Sequence, residues 1–188
     1  MLSKKWILTL IILITIVLIA GWLFWNNKDF FISLMETYGY FGIFLISIIE
    51  SSTIVFPLGF AILIFTSPFL FNLNPLFIGL SAGLGAAIGE FTGYAIGLGG
   101  RKVIEKRWKK DIKKTEKLFQ RYGGFLVIVL FAATPLPDDI VGILGGTLKY
   151  PLKKFFIASL IGKIILNLAL AYAGFYGINW FLQIFSYS

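Results

Sequence analysis

The 188-residue chain contains no cysteine and no histidine. Without histidine, HExxH zinc sites, Ser–His pairs and histidine-dependent lipid phosphatases are excluded. Without cysteine, disulfides, thiolate nucleophiles and Cys-ligated metals are excluded too. The missing cysteines are silent on compartment, because a membrane-embedded chain needs no disulfide staples. Charge is also scarce: 14% of residues are charged, against about a quarter in soluble domains. Apolar residues fill the space instead. They make up 58% of the chain, mean hydropathy is +0.88, and 20 Phe, 8 Tyr and 5 Trp exceed what one small core can hide. This is the composition of an all-α, polytopic membrane protein.

A net charge of +8 would suit nucleic acid, but its distribution argues otherwise. Residues 101–121 hold ten Lys/Arg against three acids, so nearly all the excess lies in one segment. Trp108, Ile112, Thr115, Leu118 and Phe119 recur there at helical spacing. The pattern predicts an amphipathic basic helix lying on an anionic cytoplasmic leaflet. So short a basic loop, tethered at both ends, is not expected to bind nucleic acid.

Lys4 and Lys5 precede an uncharged run from Trp6 to Trp25, about one bilayer thickness of helix. Neither a short apolar region nor a small-x-small cleavage site marks it as a signal peptide. Residues 1–37 are therefore expected to be a retained transmembrane helix plus a polar connector over 26–36, with Trp6, Trp22 and Trp25 as interfacial anchors. A membrane domain is expected over 38–177, followed by a short aromatic tail over 178–188. Within that domain, residues 76–100 and 155–177 read as plain crossings.

The segments 41–71 and 122–148 are longer than one upright crossing and are interrupted by proline and acid. Charge decides how they lie. Lys4, Lys5, the 101–121 cluster and Lys149, Lys153 and Lys154 share one face only if both interrupted segments enter and return as re-entrant hairpins. Two similar units result. Each begins with Tyr-Gly (Tyr38-Gly39, Tyr122-Gly123), continues as an interrupted hairpin and turns at Pro75 or Pro151 into a crossing helix. One hairpin enters from each side, which predicts an inverted-topology repeat with a site near the midplane.

Ionisable residues at membrane depth are the candidate site. Glu50 stands in the first hairpin, seven residues before Pro57; its alternative is contact with surface water. Glu90 lies near the middle of the 76–100 helix, one turn from Tyr94. Ser81, Gly85, Gly89, Gly93 and Gly97 form a small-residue stripe that predicts close helix packing. Asp138 and Asp139 follow the Pro135-x-Pro137 break, where an Asp can equally cap the next helical half. Lys163, with Asn167 one turn on, faces these acids as their single base; snorkelling to the surface is its alternative.

The same residues carry a resemblance. Glu50 with Pro57, Gly85-x-x-x-Gly89-Glu90-x-x-x-Tyr94, Pro135-x-Pro137-Asp138-Asp139 and Ile161-Gly162-Lys163 together resemble the DedA/VTT family, also called SNARE-associated Golgi proteins. The vacuole membrane protein branch is the most similar. The resemblance spans roughly residues 38–177. It implies two re-entrant hairpins in inverted arrangement and movement of lipids between leaflets: phospholipid scrambling in eukaryotic members, polyprenyl-phosphate translocation in some bacterial ones. One departure is plain. The Arg-x-x-Pro-x-x-Arg typical of bacterial members falls here on Ala132 and Asp138, and an Asp repels a phosphate that wants cations.

The sequence therefore predicts a lipid transporter or scramblase that works without covalent chemistry, cofactor or metal, not an enzyme. Its path would be lined by Glu50, Pro57, Glu90, Tyr94, Pro135, Pro137, Asp138, Asp139, Lys163 and Asn167. A proton- or Na⁺-coupled transporter of a small solute is the second reading, and a membrane scaffold the third. Expected partners are membrane lipids and the anionic cytoplasmic leaflet, with a homo-oligomer left open. The expected place is a prokaryotic plasma membrane, crossed several times, with the N-terminus in the cytoplasm.

Overall fold

A computed structural model of the protein describes residues 26–52, 57–101, 109–134 and 139–186. The expected first crossing, Trp6–Trp25, lies outside them. Every regular element among the described residues is an α-helix, in keeping with the composition: α1 (Lys28–Tyr38), α2 (Tyr40–Ser52), α3 (Pro57–Leu70), α4 (Pro75–Gly99), α5 (Lys109–Tyr122), α6 (Gly124–Ala132), α7 (Asp139–Thr147) and α8 (Leu152–Ser186). Two of them, α4 and α8, are long and apolar enough to cross a membrane. They correspond to the crossings expected at 76–100 and 155–177.

Local chemistry sets the boundaries. Asn74 caps α4, its side chain accepting from the Leu76 amide at 2.9 Å, and Pro75 occupies the first turn, where its missing N–H costs nothing. The end expected for α8 near 177 is corrected: the helix runs on to Ser186, through the stretch expected as a tail. Nothing in Gly177-Ile178-Asn179-Trp180 breaks it. Gly39 and Gly123, at φ 53° and 80°, turn the chain from α1 into α2 and from α5 into α6, a backbone region that disfavours residues with a Cβ.

The polar connector expected over 26–36 is corrected by α1. Phe31, Leu34 and Met35 fall on one face of that helix and pack onto the core built by Ile43 and Ile46 of α2. Each interrupted apolar segment is indeed two helices. At 13 and 14 residues (α2, α3) and 9 and 9 (α6, α7), none reaches the roughly 20 residues of a full crossing.

At the centre stands α4, packed on three sides through glycine. Gly79 and Gly83 face Leu168 and Ile164 of α8. Gly85 meets the Phe44 carbonyl and Ser47 of α2, and a Cβ on Gly89 would stand 2.6 Å from that of Ser51. Further along, Gly97 meets the Ile143 backbone of α7, and a Cβ on Gly142 of α7 would lie 3.1 Å from the Gly93 carbonyl carbon. The stripe thus serves two neighbours in succession, α2 and then α7, where the sequence pattern suggests one. The Gly79/Gly83 row, which lies outside that stripe, admits α8. In turn α8 meets Val129 and Ala132 of α6 at Gly162 and Phe65 of α3 at Gly174.

Candidate functional site

Burial of so much apolar surface makes the few polar side chains in the bundle conspicuous. Glu90 of α4 and Lys163 of α8 meet there. Lys163 Nζ lies 3.0 Å from Glu90 Oε1, and the two side chains are 2% and 3% exposed. Such a pair is held only when its members satisfy each other, because either charge alone is costly in an apolar interior. Snorkelling is thereby ruled out for Lys163, which is turned inward to the acid. The small neighbours make room. A Cβ on Gly142 would come within 2.9 Å of Glu90 Oε2, so any larger residue there would press on the carboxylate.

Asn167, one turn beyond Lys163, is also buried, and its Nδ2 donates to the Lys163 carbonyl at 2.9 Å. Ser159, one turn before Lys163, is fully buried, and its hydroxyl has no hydrogen-bond partner among the described residues. Ser159, Lys163 and Asn167 therefore form one polar edge of α8. Its i, i+4, i+8 spacing is readable in the sequence, but a lone serine in an apolar run gives no signal of its own, and Ser159 is missing from the path expected above.

Glu50 is half-buried near the end of α2 and accepts a 3.1 Å hydrogen bond from the Ser51 hydroxyl. Ser51 packs on Gly89, the residue before Glu90, so α2 brings Glu50 to the helix that carries the ion pair. Tyr94 is used differently. Its hydroxyl donates to the Tyr150 carbonyl at 2.6 Å and its ring lies against Phe155, 5.0 Å between centroids. It ties α4 to the turn that opens α8. Tyr150 itself packs edge-on to Phe119, and burial raises its phenol above the ordinary value. Pro57 and Asp139 begin α3 and α7, their side chains lying outside the described residues, as do Pro135, Pro137 and Asp138 altogether. No cluster of three or more His, Cys, Asp or Glu stands among the described residues.

What this arrangement can do chemically is exchange partners. A paired carboxylate and ammonium between two helices can each turn to a passing group of opposite charge, with no net charge left in the apolar medium.

Comparison with known proteins places the chain. No solved structure matches it. It is 24% identical over 139 residues to the uncharacterized protein MJ0201 of Methanocaldococcus jannaschii, covering 73% of this chain and 85% of that one. An alkaline phosphatase-like protein of Lactococcus lactis subsp. lactis is 28% identical over 170 residues, covering 81% and 78%. Vacuole membrane protein KMS2 of Arabidopsis thaliana is 34% identical over 103 residues, 45% of this chain and 24% of the plant protein. The VTT domain model matches residues 51–176, the span that holds Glu90 and Lys163, and the chain is a membrane protein of the VTT (DedA) family.

Proposed function

We propose that the protein moves phospholipid between the leaflets of its membrane. The buried Glu90–Lys163 pair carries this reading. A zwitterionic headgroup offers a phosphate to Lys163 and an amine to Glu90, so the pair can open onto it as one neutral unit opening onto another. A polyprenyl phosphate would leave Glu90 unmatched, which disfavours it as the cargo. Glu50, Asp138, Asp139 and Asn167 would extend the polar path, with the acyl tails remaining in lipid and Pro57, Pro135 and Pro137 keeping the helical breaks open.

In this reading α2–α3 and α6–α7 are re-entrant hairpins, and α2–α4 and α6–α8 are the halves of an inverted repeat. The packing supports it: α4 lies against α2 of its own unit and α7 of the other, while α8 lies against α6 of its own and α3 of the other. Helices too short to cross, α6 and α7 between the long α4 and α8, fit the same plan.

The test is reconstitution of the purified protein into liposomes carrying headgroup-labelled phosphatidylethanolamine, with chemical quenching of the outer leaflet. Quenching beyond the outer half, slowed in the Glu90→Gln/Lys163→Met double variant, is the expected result. Quenching no greater than in protein-free liposomes would overturn the reading. Ion-dependent uptake of a solute in its place would favour a secondary transporter, and neither activity a scaffold.

A further inference from the structure

Along the polar edge of α8 one group is left unused by the fold. Ser47, Thr66 and Ser67, in the short helices α2 and α3, turn their hydroxyls back onto their own backbone, donating to the carbonyls of Ile43, Ile62 and Ile64 at 2.7, 2.8 and 3.0 Å. Ser159 does not. It is 0% exposed, and among the described residues its Oγ is the one fully buried side-chain N or O atom without a hydrogen-bond partner. Packing requires no hydroxyl at this place: Ala82 of α4 stands three residues before Gly85 as Ser159 stands three before Gly162, and it is equally buried. The register between α4 and α8 locates the hydroxyl. Gly79 meets Leu168, Gly83 meets Ile164, and Phe91 stacks on Phe156 with 5.3 Å between centroids. Glu90 is therefore level with the turn 156–159. Lys163, more than one turn further on, reaches back along α8 to meet it, the direction in which helical side chains lean. The ion pair thus lies over the turn that Ser159 occupies.

We infer that Ser159 is a specificity-determining residue, whose hydroxyl donates to the phosphate of the headgroup that opens the Glu90–Lys163 pair. This rests on the transport reading above and names the chemistry that its site selects. Beside the Lys163 ammonium a cationic group is repelled, so an anion is the partner that a hydroxyl on this edge serves. A lysine ammonium is a point charge, whereas a phosphate presents several acceptor oxygens, and a second donor one turn away on the same edge fixes its orientation. With the pair closed the hydroxyl is dry and unpaired, which raises the energy of the closed state. A phosphate removes that penalty as it enters. The gain then belongs to the loaded state alone, the condition under which binding energy speeds passage. A sugar headgroup brings no charge for Lys163 and cannot open the pair in this way.

The experiment uses the purified full chain in liposomes, with movement of acyl-labelled phosphatidylethanolamine and acyl-labelled galactosyl diacylglycerol read by quenching of the outer leaflet. Ser159→Ala should lower the ratio of phospholipid to galactolipid rates about tenfold. Its melting temperature in detergent should stay that of the wild type, since the closed fold loses no hydrogen bond. Ser159→Cys, close in size and only a weak donor, should fall between the two. An unchanged ratio in Ser159→Ala, with the wild type active, would overturn the inference and leave the transport reading standing. A lowered melting temperature would overturn it too, because the hydroxyl would then be bonded within the fold. No movement of either lipid by the wild type would overturn the inference and the transport reading together. Radiolabelled inorganic phosphate offered to the same liposomes identifies the source of the phosphate, and it should stay outside. Its Ser159-dependent uptake, in place of lipid movement, would overturn the lipid as that source.

Discussion

Helices α4 and α8 are built alike where they pack and unlike where they carry charge. Gly85 of α4 meets α2 and Gly162 of α8 meets α6; twelve residues on, Gly97 meets α7 and Gly174 meets α3. The members of these pairs lie 77 residues apart, and so do Asn72 and Lys149, which share a left-handed backbone at φ 51° and 52° before the two helices begin. In that register Glu90 matches Asn167, while Lys163 matches Ala86. Close backbone packing needs only the absence of a side chain, and it can be met identically in both helices. A buried charge cannot be repeated in this way. Two acids facing each other in an apolar bundle would repel, so one helix carries the acid and the other the base.

That contrast can be broken most forcefully at the base. Lys163→Met leaves Glu90 buried without its counter-charge and should cost about 3–5 kcal/mol of stability. Thermal unfolding in detergent measures it. Glu90→Gln should be destabilising for the mirror reason, because it leaves Lys163 buried without its counter-charge. The double variant Glu90→Gln/Lys163→Met should recover part of either loss, since no buried charge is then left without its counter-charge. Additive losses in the double variant would show that the two residues do not stabilise each other.

The repeated part of the comparison predicts matched effects. Gly85→Leu pushes a side chain against Ser47 and the Phe44 carbonyl of α2, and Gly162→Leu pushes one against Val129 and Ala132 of α6. Overpacking against backbone should cost about 1–3 kcal/mol or more in each. Similar drops in melting temperature are expected, because the two contacts are equivalent. A drop in one alone would confine the close packing to a single half of the molecule.

Much of the fold is legible in the amino-acid pattern alone. The 3.6-residue period, the capping Asn74-Pro75 and the glycines every fourth residue locate α4 without further help. The interruption of 41–71 and 122–148 shows in their prolines and acids, because neither residue type continues an apolar helix. Two things escape the pattern. Helix α1 hides behind its charged ends, Lys28, Asp29 and Glu36, which give 26–36 the composition of a connector while Phe31, Leu34 and Met35 keep helical spacing. Partner choice is the second. Four acids and one base at membrane depth leave the pairing open, since periodicity gives the face of a helix and not the height at which two helices cross. That height is set by Gly79 and Gly83 against α8, a tertiary contact that no local pattern encodes. Tyr94 illustrates the same limit: one turn from Glu90 in sequence, it spends its hydroxyl on Tyr150.

The smallest effect is expected at Asn167, and it tests whether the polar edge of α8 works as one unit. Its amide donates to the Lys163 carbonyl, an oxygen that a helical N–H also reaches, so removing the side chain orphans no buried acceptor. Asn167→Leu keeps the volume and loses one hydrogen bond, for an expected cost of about 0.5–1.5 kcal/mol. If Asn167 only packs, the melting temperature should fall slightly and the Glu90–Lys163 coupling energy, measured by repeating the double-variant cycle in the Leu background, should be unchanged. If Asn167 instead fixes the turn from which Lys163 reaches Glu90, that coupling should shrink. A loss as large as that of Lys163→Met would mean that the residue matching Glu90 in the second helix holds the ion pair in place, and the two halves would then share one site in which the acid and the amide act on the same lysine.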